Sequence, residues 1–242
     1  EYQIAIGQQL QKSFKAYCKA HYNQNKIFVL IDENVHRLHS DKVAKLVSDF
    51  KDIHLIEIPE GESSKSVQEW TNITNTILDT GVERSTPILA VGGGVTGDLA
   101  GFVAATVLRG VPLIHIPTTL LAMVDSSIGG KTGVNHTTGK NLLGSFYQPD
   151  AVFSDISFLE TLEQKEWITG MAEILKYGAI RNPELFEVME ELIHQPLTPK
   201  QRWVKVVEES ARIKAEIVQE DTLEAGKRAY LNFGHTFGHA LE

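Results

Sequence analysis

Glu173 and Lys176 stand three residues apart in Met171-Ala172-Glu173-Ile174-Leu175-Lys176, a spacing that puts a carboxylate and an ammonium on one face of a helix. A pair of this kind is ordinarily a surface ion pair, but the apolar residues around it predict burial. Arg228 and Asn232 are four apart, and His235 and His239 repeat that spacing in Asn232-Phe233-Gly234-His235-Thr236-Phe237-Gly238-His239. Two histidines at that spacing can share a divalent metal. They also arise as an ordinary structural pair, and the zinc-protease signature is absent because no glutamate follows His235. Gly129-Gly130-Lys131 and Gly139-Lys140-Asn141 place two lysines after glycines in a flexible, mixed-polarity region that begins just beyond Leu120 and includes Asp125. Compact cations in that setting suit phosphate or carboxylate, with a solvated loop as the plainer reading. Lys214, in Arg212-Ile213-Lys214-Ala215-Glu216, passes on its own as an exposed helix lysine.

A further constellation lies upstream. Ala90-Val91-Gly92-Gly93-Gly94-Val95-Thr96-Gly97-Asp98 follows an apolar run from Thr86 that reads as a buried strand and precedes a run from Leu99 to Leu108 of helical length. Residues without a β-carbon at a strand-to-helix turn let the backbone approach a ligand, and the helix aims its unpaired N–H groups at that point. A pyrophosphate fits such a turn, and so does a tight turn with no ligand. The spacing is not the usual G-x-G-x-x-G.

The elements that must position these groups alternate in the first part of the chain. Glu1 to Gly7, Lys26 to Ile31, His54 to Ile58, the run ending at Val91 and Val111 to Ile116 read as strands. Asp41 to Phe50 and Ser66 to Leu78 read as helices, the second with Val67, Trp70, Ile73 and Ile77 on one face. Alternation with continuously apolar strands predicts a parallel sheet covered on both faces. Ligands of such sheets collect at the carboxyl ends of the strands. Polar loops fall there: Asp32-Glu33-Asn34, Glu60 to Lys65, the glycines, and Pro117-Thr118-Thr119. Asp32 and Asn34 serve equally as caps of the next helix. Beyond a strand at Ala151 to Asp155, helical periodicity takes over in Glu163 to Ile180, Pro183 to His194 and Pro199 to about Leu223. The expected division is an α/β nucleotide-binding domain over residues 1–160 with a Rossmann-like parallel sheet, then an all-α domain over residues 161–242, with a small-molecule site between them.

Composition narrows the classes. Of the 242 residues 42% are hydrophobic and 22% charged, as in an ordinary globular protein, and the net charge of −8 argues against a nucleic-acid surface. The single cysteine, Cys18, excludes an intrachain disulfide and suits a reducing, cytoplasmic setting. The opening residues alternate like a strand, unlike a signal peptide. Asp98, Arg109 and several glycines break the apolar region from Pro87 to Val124 well short of a bilayer span, so no membrane partner is expected.

Taken together, Gly92 to Asp98, Pro117-Thr118-Thr119, Gly129-Gly130-Lys131, Gly139-Lys140-Asn141, the Glu173 to Lys176 pair and Asn232-Phe233-Gly234-His235 resemble, in order and spacing, the 3-dehydroquinate synthase family. The resemblance runs through essentially the whole chain. It implies a nucleotide-binding domain, a helical domain and an active site between them. It also implies conversion of 3-deoxy-D-arabino-heptulosonate 7-phosphate to 3-dehydroquinate and phosphate in the shikimate pathway, with NAD and a divalent zinc or cobalt ion. The reaction it implies runs through transient oxidation, phosphate elimination, reduction, ring opening and aldol closure.

By the same resemblance, NAD lies against Asp32, Asn34, Glu62, Lys65, Gly93, Gly94, Val95, Asp98, Thr118 and Thr119, with Asp125, Lys131 and Lys140 closing over it. Glu173 and His235 look like metal ligands. Lys131, Asn141, Arg228, Asn232 and His239 resemble substrate and phosphate contacts, and Lys176 and Lys214 resemble contacts of the carboxylate and hydroxyls. Arg109 resembles an arginine that reaches the phosphate of a neighbouring subunit, so a homodimer is expected. The family's third metal ligand is a further histidine expected beyond Glu242, which leads us to expect that the parent chain continues. The rival readings are another sugar phosphate cyclase, a non-catalytic NAD-binding fragment, and a metal-dependent polyol dehydrogenase, which should lack the phosphate-binding set Lys131, Arg228 and Asn232 and is therefore disfavoured by their presence.

Overall fold

The structure, a computed structural model, describes residues 2–194, 200–221 and 226–233. Its centre is a six-stranded, all-parallel sheet of order β1-β8-β5-β4-β2-β3, built from β1 (Gln3–Gly7), β2 (Lys26–Asp32), β3 (Asp52–Ile58), β4 (Ile88–Gly92), β5 (Leu113–Pro117) and β8 (Ala151–Asp155). Side chains alternate across it as pleating requires. Ile27, Val29 and Ile31 of β2 enter one core with Leu89, Val91, Ile114 and Phe153. Phe28 and Leu30 enter the opposite core with Ile88, Ala90 and Leu113. Burial on both faces explains why β2, β4, β5 and β8 are nearly unbroken apolar runs.

Register brings the carboxyl ends together: Asp32 pairs with Ile58, Ile31 with Val91, and Gly92 with Pro117. The segments that follow these residues therefore leave the sheet along one edge.

Helices α1 (Gln11–His21) and α2 (Glu33–Val47) cover the first face, and α3 (Val67–Thr80) and α4 (Gly94–Thr106) cover the second. Helix α1 was not expected from the sequence, because only Phe14 and Cys18 of it are buried and its apolar stripe is thin. Helix α2 starts at Glu33 rather than Asp41, since Asp32 caps it, and it bends at His39, where the backbone leaves helical values. Helix α4 takes in Gly94 and Gly97, so the glycine-rich run is partly turn and partly first helical turn, and the helix begins earlier than Leu99.

The glycine-rich segment after Leu120 is ordered. A π-helical turn covers Ala122–Ser126, and β6 (Lys131–His136) and β7 (Gly139–Phe146) form an antiparallel hairpin. The two strands approach so closely that a Cβ on Gly144 would lie 2.2 Å from the Thr132 carbonyl oxygen. Helices α5 (Gln164–Arg181), α6 (Pro183–His194) and α7 (Lys200–Glu220) follow, then a 3-10 turn at Lys227–Asn232. Ile174, Tyr177, Met189, Trp203 and Ile213 join the same buried cluster as the first sheet face. No described helix is long and apolar enough to cross a membrane.

Candidate active site at the carboxyl edge of the sheet

Strand β4 ends at Gly92, Gly93 continues in extended backbone, and α4 begins at Gly94. A Cβ on Gly93 would stand 3.1 Å from Thr119 Cγ2. The missing side chain is what lets the turn lie against Thr119. Asp32 caps α2 and Ser66 caps α3, but no side chain caps α4. The first-turn N–H groups, at Gly94 and Val95 among others, thus keep their positive dipole end open, as at phosphate-binding helix termini. In the same turn the Thr96 hydroxyl is buried with no hydrogen-bond partner. An uncapped helix, side-chain-free approach and an orphaned buried hydroxyl at one turn fit the pyrophosphate of a dinucleotide.

Beside this turn Lys65 and Asp98 form an ion pair, with Lys65 buried to 5% exposure. Burial pushes the Asp98 carboxyl up to about 6; the Lys65 ammonium opposes that, and the charges of Glu62 and Asp125 add to it. Glu62 accepts a hydrogen bond from Asn135 Nδ2 at 2.7 Å, and the Asn135 amide donates to the Lys65 carbonyl at 2.8 Å. Asn135 Oδ1 in turn accepts from the Asn141 amide at 2.9 Å, where Asn141 takes the left-handed φ of 56°. One side chain therefore ties the Glu62–Lys65 loop to the hairpin carrying Lys140 and Asn141. Asn135 is not among the residues that the sequence analysis singles out. No local pattern marks its link to Glu62, 73 residues away.

The second cluster joins three elements. Lys214 of α7 reaches Asp125 Oδ1 of the π turn at 2.6 Å, and the Tyr177 hydroxyl of α5 donates to the same oxygen at 2.5 Å. Lys176 pairs with Glu173 one helical turn away and lies 5.3 Å from the centre of the Tyr177 ring. Burial alone would raise the Asp125 carboxyl, yet Lys214, Tyr177 and Lys176 together bring it down to about 2. Burial holds the Lys214 ammonium below the ordinary lysine range, with Asp125 opposing. Arg228 is 1% exposed, and both of its terminal nitrogens lie 3.4 Å from the Gly129 carbonyl. Its charge is felt at both Tyr177 and Lys214. A Cβ on Gly94 would stand 3.2 Å from Ser126 Oγ, so the α4 terminus abuts the π turn that carries Asp125. Tyr177 went unmarked in the sequence because its partner lies 52 residues away.

Asp32 Oδ1 accepts from the Asn34 and Val35 amides at 2.9 and 3.2 Å, which gives it the capping role, and burial raises its carboxyl. Asn34 accepts from Arg37. Thr118 is buried with its amide on the Gly92 carbonyl, and Thr119 Oγ1 accepts from the Ala122 amide. Lys131 and Lys140 lie on the hairpin. Asn232 is exposed beside Ile180, Ile217 and Phe233, around a groove of 550 Å³. Arg109 follows the far end of α4, a 13-residue helix whose length of about 20 Å separates it from the glycine turn of its own chain. His235 and His239 lie outside the described residues. Among the described residues no three His, Cys, Asp or Glu side chains converge to hold a metal ion; Glu173 is described, and the chemistry of a Glu173–His235 donor set, carboxylate plus imidazole, suits zinc or cobalt.

Residues 55–169 match the family model for the 3-dehydroquinate synthase N-terminal region, and residues 170–242 match that for the C-terminal region. A 3-dehydroquinate synthase of Salinibacter ruber is 46% identical over 220 residues, which is 90% of this chain and 60% of that protein. One from Dehalococcoides mccartyi is 47% identical over 247 residues, covering 100% of this chain and 68% of the relative. The chain thus spans about two thirds or less of the length of these relatives. Among solved structures, a 2-epi-5-epi-valiolone synthase of Streptomyces hygroscopicus with NAD+ and Zn2+ bound is similar at TM-score 0.88 and 31% identity, covering 100% of this chain and 68% of that one. A 2-deoxy-scyllo-inosose synthase complexed with carbaglucose-6-phosphate, NAD+ and Co2+ follows at TM-score 0.86 and 28% identity, covering 99% and 67%.

Proposed function

The chain belongs to the 3-dehydroquinate synthase family, and from that premise we propose that it serves an enzyme converting 3-deoxy-D-arabino-heptulosonate 7-phosphate to 3-dehydroquinate and phosphate. The observation that supports this reading best is the adjacency of two charge clusters, Lys65–Asp98 at the glycine turn and Asp125–Lys214 with Glu173–Lys176 beneath the helices. A dinucleotide held at the first would bring its reactive end to Asp125, beside a sugar phosphate held by Lys176 and Lys214.

In this reading bound NAD would supply a hydride acceptor and donor, and Glu173 and His235 would hold a zinc or cobalt ion that supplies Lewis-acid polarisation of a substrate hydroxyl. The chain's own groups do the rest. The open terminus of α4 and the Gly93–Gly94 backbone carry the pyrophosphate, with Val95, Thr118 and Thr119 shaping the turn. Lys65 neutralises Asp98 and keeps its carboxylate able to accept from a ribose hydroxyl. Lys176 and Lys214 face the substrate carboxylate and hydroxyls, and Lys214, its proton less tightly held through burial, is the readier donor to a substrate oxygen. Arg228, Lys131, Asn141, Asn232 and His239 provide charge and donors for the phosphate. Arg109, exposed and remote from its own site, reaches the phosphate of a partner protomer in a homodimer. The division near residue 160 separates the sheet and its hairpin, which hold the cofactor and lend Lys131 and Asn141 to the phosphate, from the helical part, and the enzyme works in the cytoplasm.

The relatives at 46% and 47% identity are dehydroquinate synthases, whereas the sugar phosphate cyclases of other substrates stand at 31% and 28%. That ordering favours the heptulosonate phosphate. Supplying the protein, NAD and zinc with this substrate or with other heptulose phosphates, and identifying the carbocycle by mass spectrometry, tests the choice. 3-Dehydroquinate from the first alone supports it; turnover of another heptulose phosphate alone overturns it.

A further inference from the structure

Tyr177 is fully buried, and its hydroxyl is the one polar atom that α5 sends to the π turn among the hydrogen bonds of the described residues, reaching Asp125 Oδ1 at 2.5 Å and the Val124 carbonyl at 3.1 Å. Lys214 reaches Oδ1 as well, at 2.6 Å, and no described residue donates to Oδ2. Two donors from two different helices converging on one oxygen fix the rotation of a carboxylate, since turning it would break both bonds at once. The other oxygen is then the one acceptor offered to a ligand. The Asp125 side chain keeps 25% exposure, so the carboxylate stays accessible to a ligand. A π-helical turn at this point strengthens the case, because such insertions cost regular hydrogen bonding and recur at functional sites.

We propose that Tyr177 is a positioning residue: with Lys214 it saturates Oδ1 of Asp125 and holds Oδ2 as a single oriented acceptor for a hydroxyl of the bound dinucleotide. This rests on the NAD-binding reading above. Tyr177 itself touches no ligand and acts through Asp125. The Asp125 carboxyl, brought down to about 2 and so held ionised, is consistent with both donors serving the charged carboxylate.

Tyr177→Phe keeps the buried ring and removes only the hydroxyl, so its effect separates positioning from packing. Two readouts on the intact chain apply. The first needs no ligand: carbon-13 NMR of the Asp125 carboxyl through an acid titration. The variant should ionise at a clearly higher pH than the native protein, and an unchanged titration overturns the proposal. The second is NAD affinity in a double-mutant cycle with Asp125→Asn. Tyr177→Phe should weaken NAD about ten-fold in the native background, the scale of one hydrogen bond to a charged group, and less than about two-fold in the Asp125→Asn background. Equal losses in both backgrounds overturn it. Should the native protein bind no NAD, the NAD reading is what fails, and the carboxyl titration still decides whether Tyr177 holds Asp125.

Discussion

Lys214 and Asp125 lie 89 residues apart in sequence and meet at 2.6 Å. The contact fastens α7 to the π turn that follows β5, so the helical part of the chain touches the carboxyl edge of the sheet through a charge pair. That pair makes the junction sensitive to acid.

The Asp125 carboxyl sits at about 2 in the folded chain, below its ordinary value of 3.8. The folded state therefore favours the ionised form, and the resulting stabilisation is complete above the ordinary value and lost as pH falls towards 2. Its size is roughly 2 kcal/mol. Urea unfolding of the native chain and of Asp125→Asn should differ by about that amount or more at pH 7, since Lys214 also loses its partner, and the difference should narrow below pH 4. A gap that stays constant with pH contradicts the pairing.

His115 titrates in the opposite sense of charge but with the same direction of effect. It lies buried on β5 against Gly97 of α4, and burial lowers its ring to about 4 from 6.5. The unfolded chain takes up a proton below pH 6.5 while the folded one refuses it until about 4, so stability falls across that interval by about 3 kcal/mol. His115→Gln should lose less stability between pH 6.5 and pH 4 than the native chain. Parallel pH curves for the two proteins would show that His115 is protonated in place.

Gly144 controls the hairpin. With its Cβ position 2.2 Å from the Thr132 carbonyl oxygen and 3.1 Å from the Gly133 Cα, Gly144→Ala must push the strands apart. A loss of about 2 kcal/mol or more is expected. Faster amide exchange should be confined to Lys131–Phe146, together with weaker NAD binding, because Lys131 and Lys140 ride on those strands. Unchanged exchange there would mean that the hairpin tolerates a methyl at its closest approach.

These features differ in how far the sequence discloses them. The glycine turn is visible because backbone approach needs residues without side chains, and β2, β4, β5 and β8 are visible because burial on two faces leaves continuous apolar runs. The Glu173–Lys176 spacing and its apolar neighbours together announce a partly buried pair, and the structure places it so. Helix α1 escapes because two buried residues make no periodic signal. The hairpin escapes because Lys131–Phe146 mixes glycines with exposed polar and apolar residues, and pairing across it is settled by tertiary contact. Asn135 and Tyr177 escape for a related reason: their partners Glu62 and Asp125 are distant in sequence, and neither residue type is diagnostic. Asp32 read equally as cap or ligand contact, and the structure shows the cap. His235 and His239, where spacing suggests a metal pair and the family resemblance separates them, fall outside the described residues.

Glu173→Gln tests the metal assignment independently of the cofactor site. The amide keeps the shape and removes the charge, so zinc content after dialysis should fall at least about ten-fold while NAD affinity stays within about two-fold of native. Retained zinc would reassign the ligand, and loss of NAD along with zinc would mean that the two clusters do not act separately.

The central claim is that the two clusters serve one reaction on a sugar phosphate. It is tested most directly by phosphate release from 3-deoxy-D-arabino-heptulosonate 7-phosphate in the presence and absence of NAD and of zinc. Release should require both, with one phosphate freed for each 3-dehydroquinate formed. NAD binding with no release of phosphate under any of these conditions would contradict it.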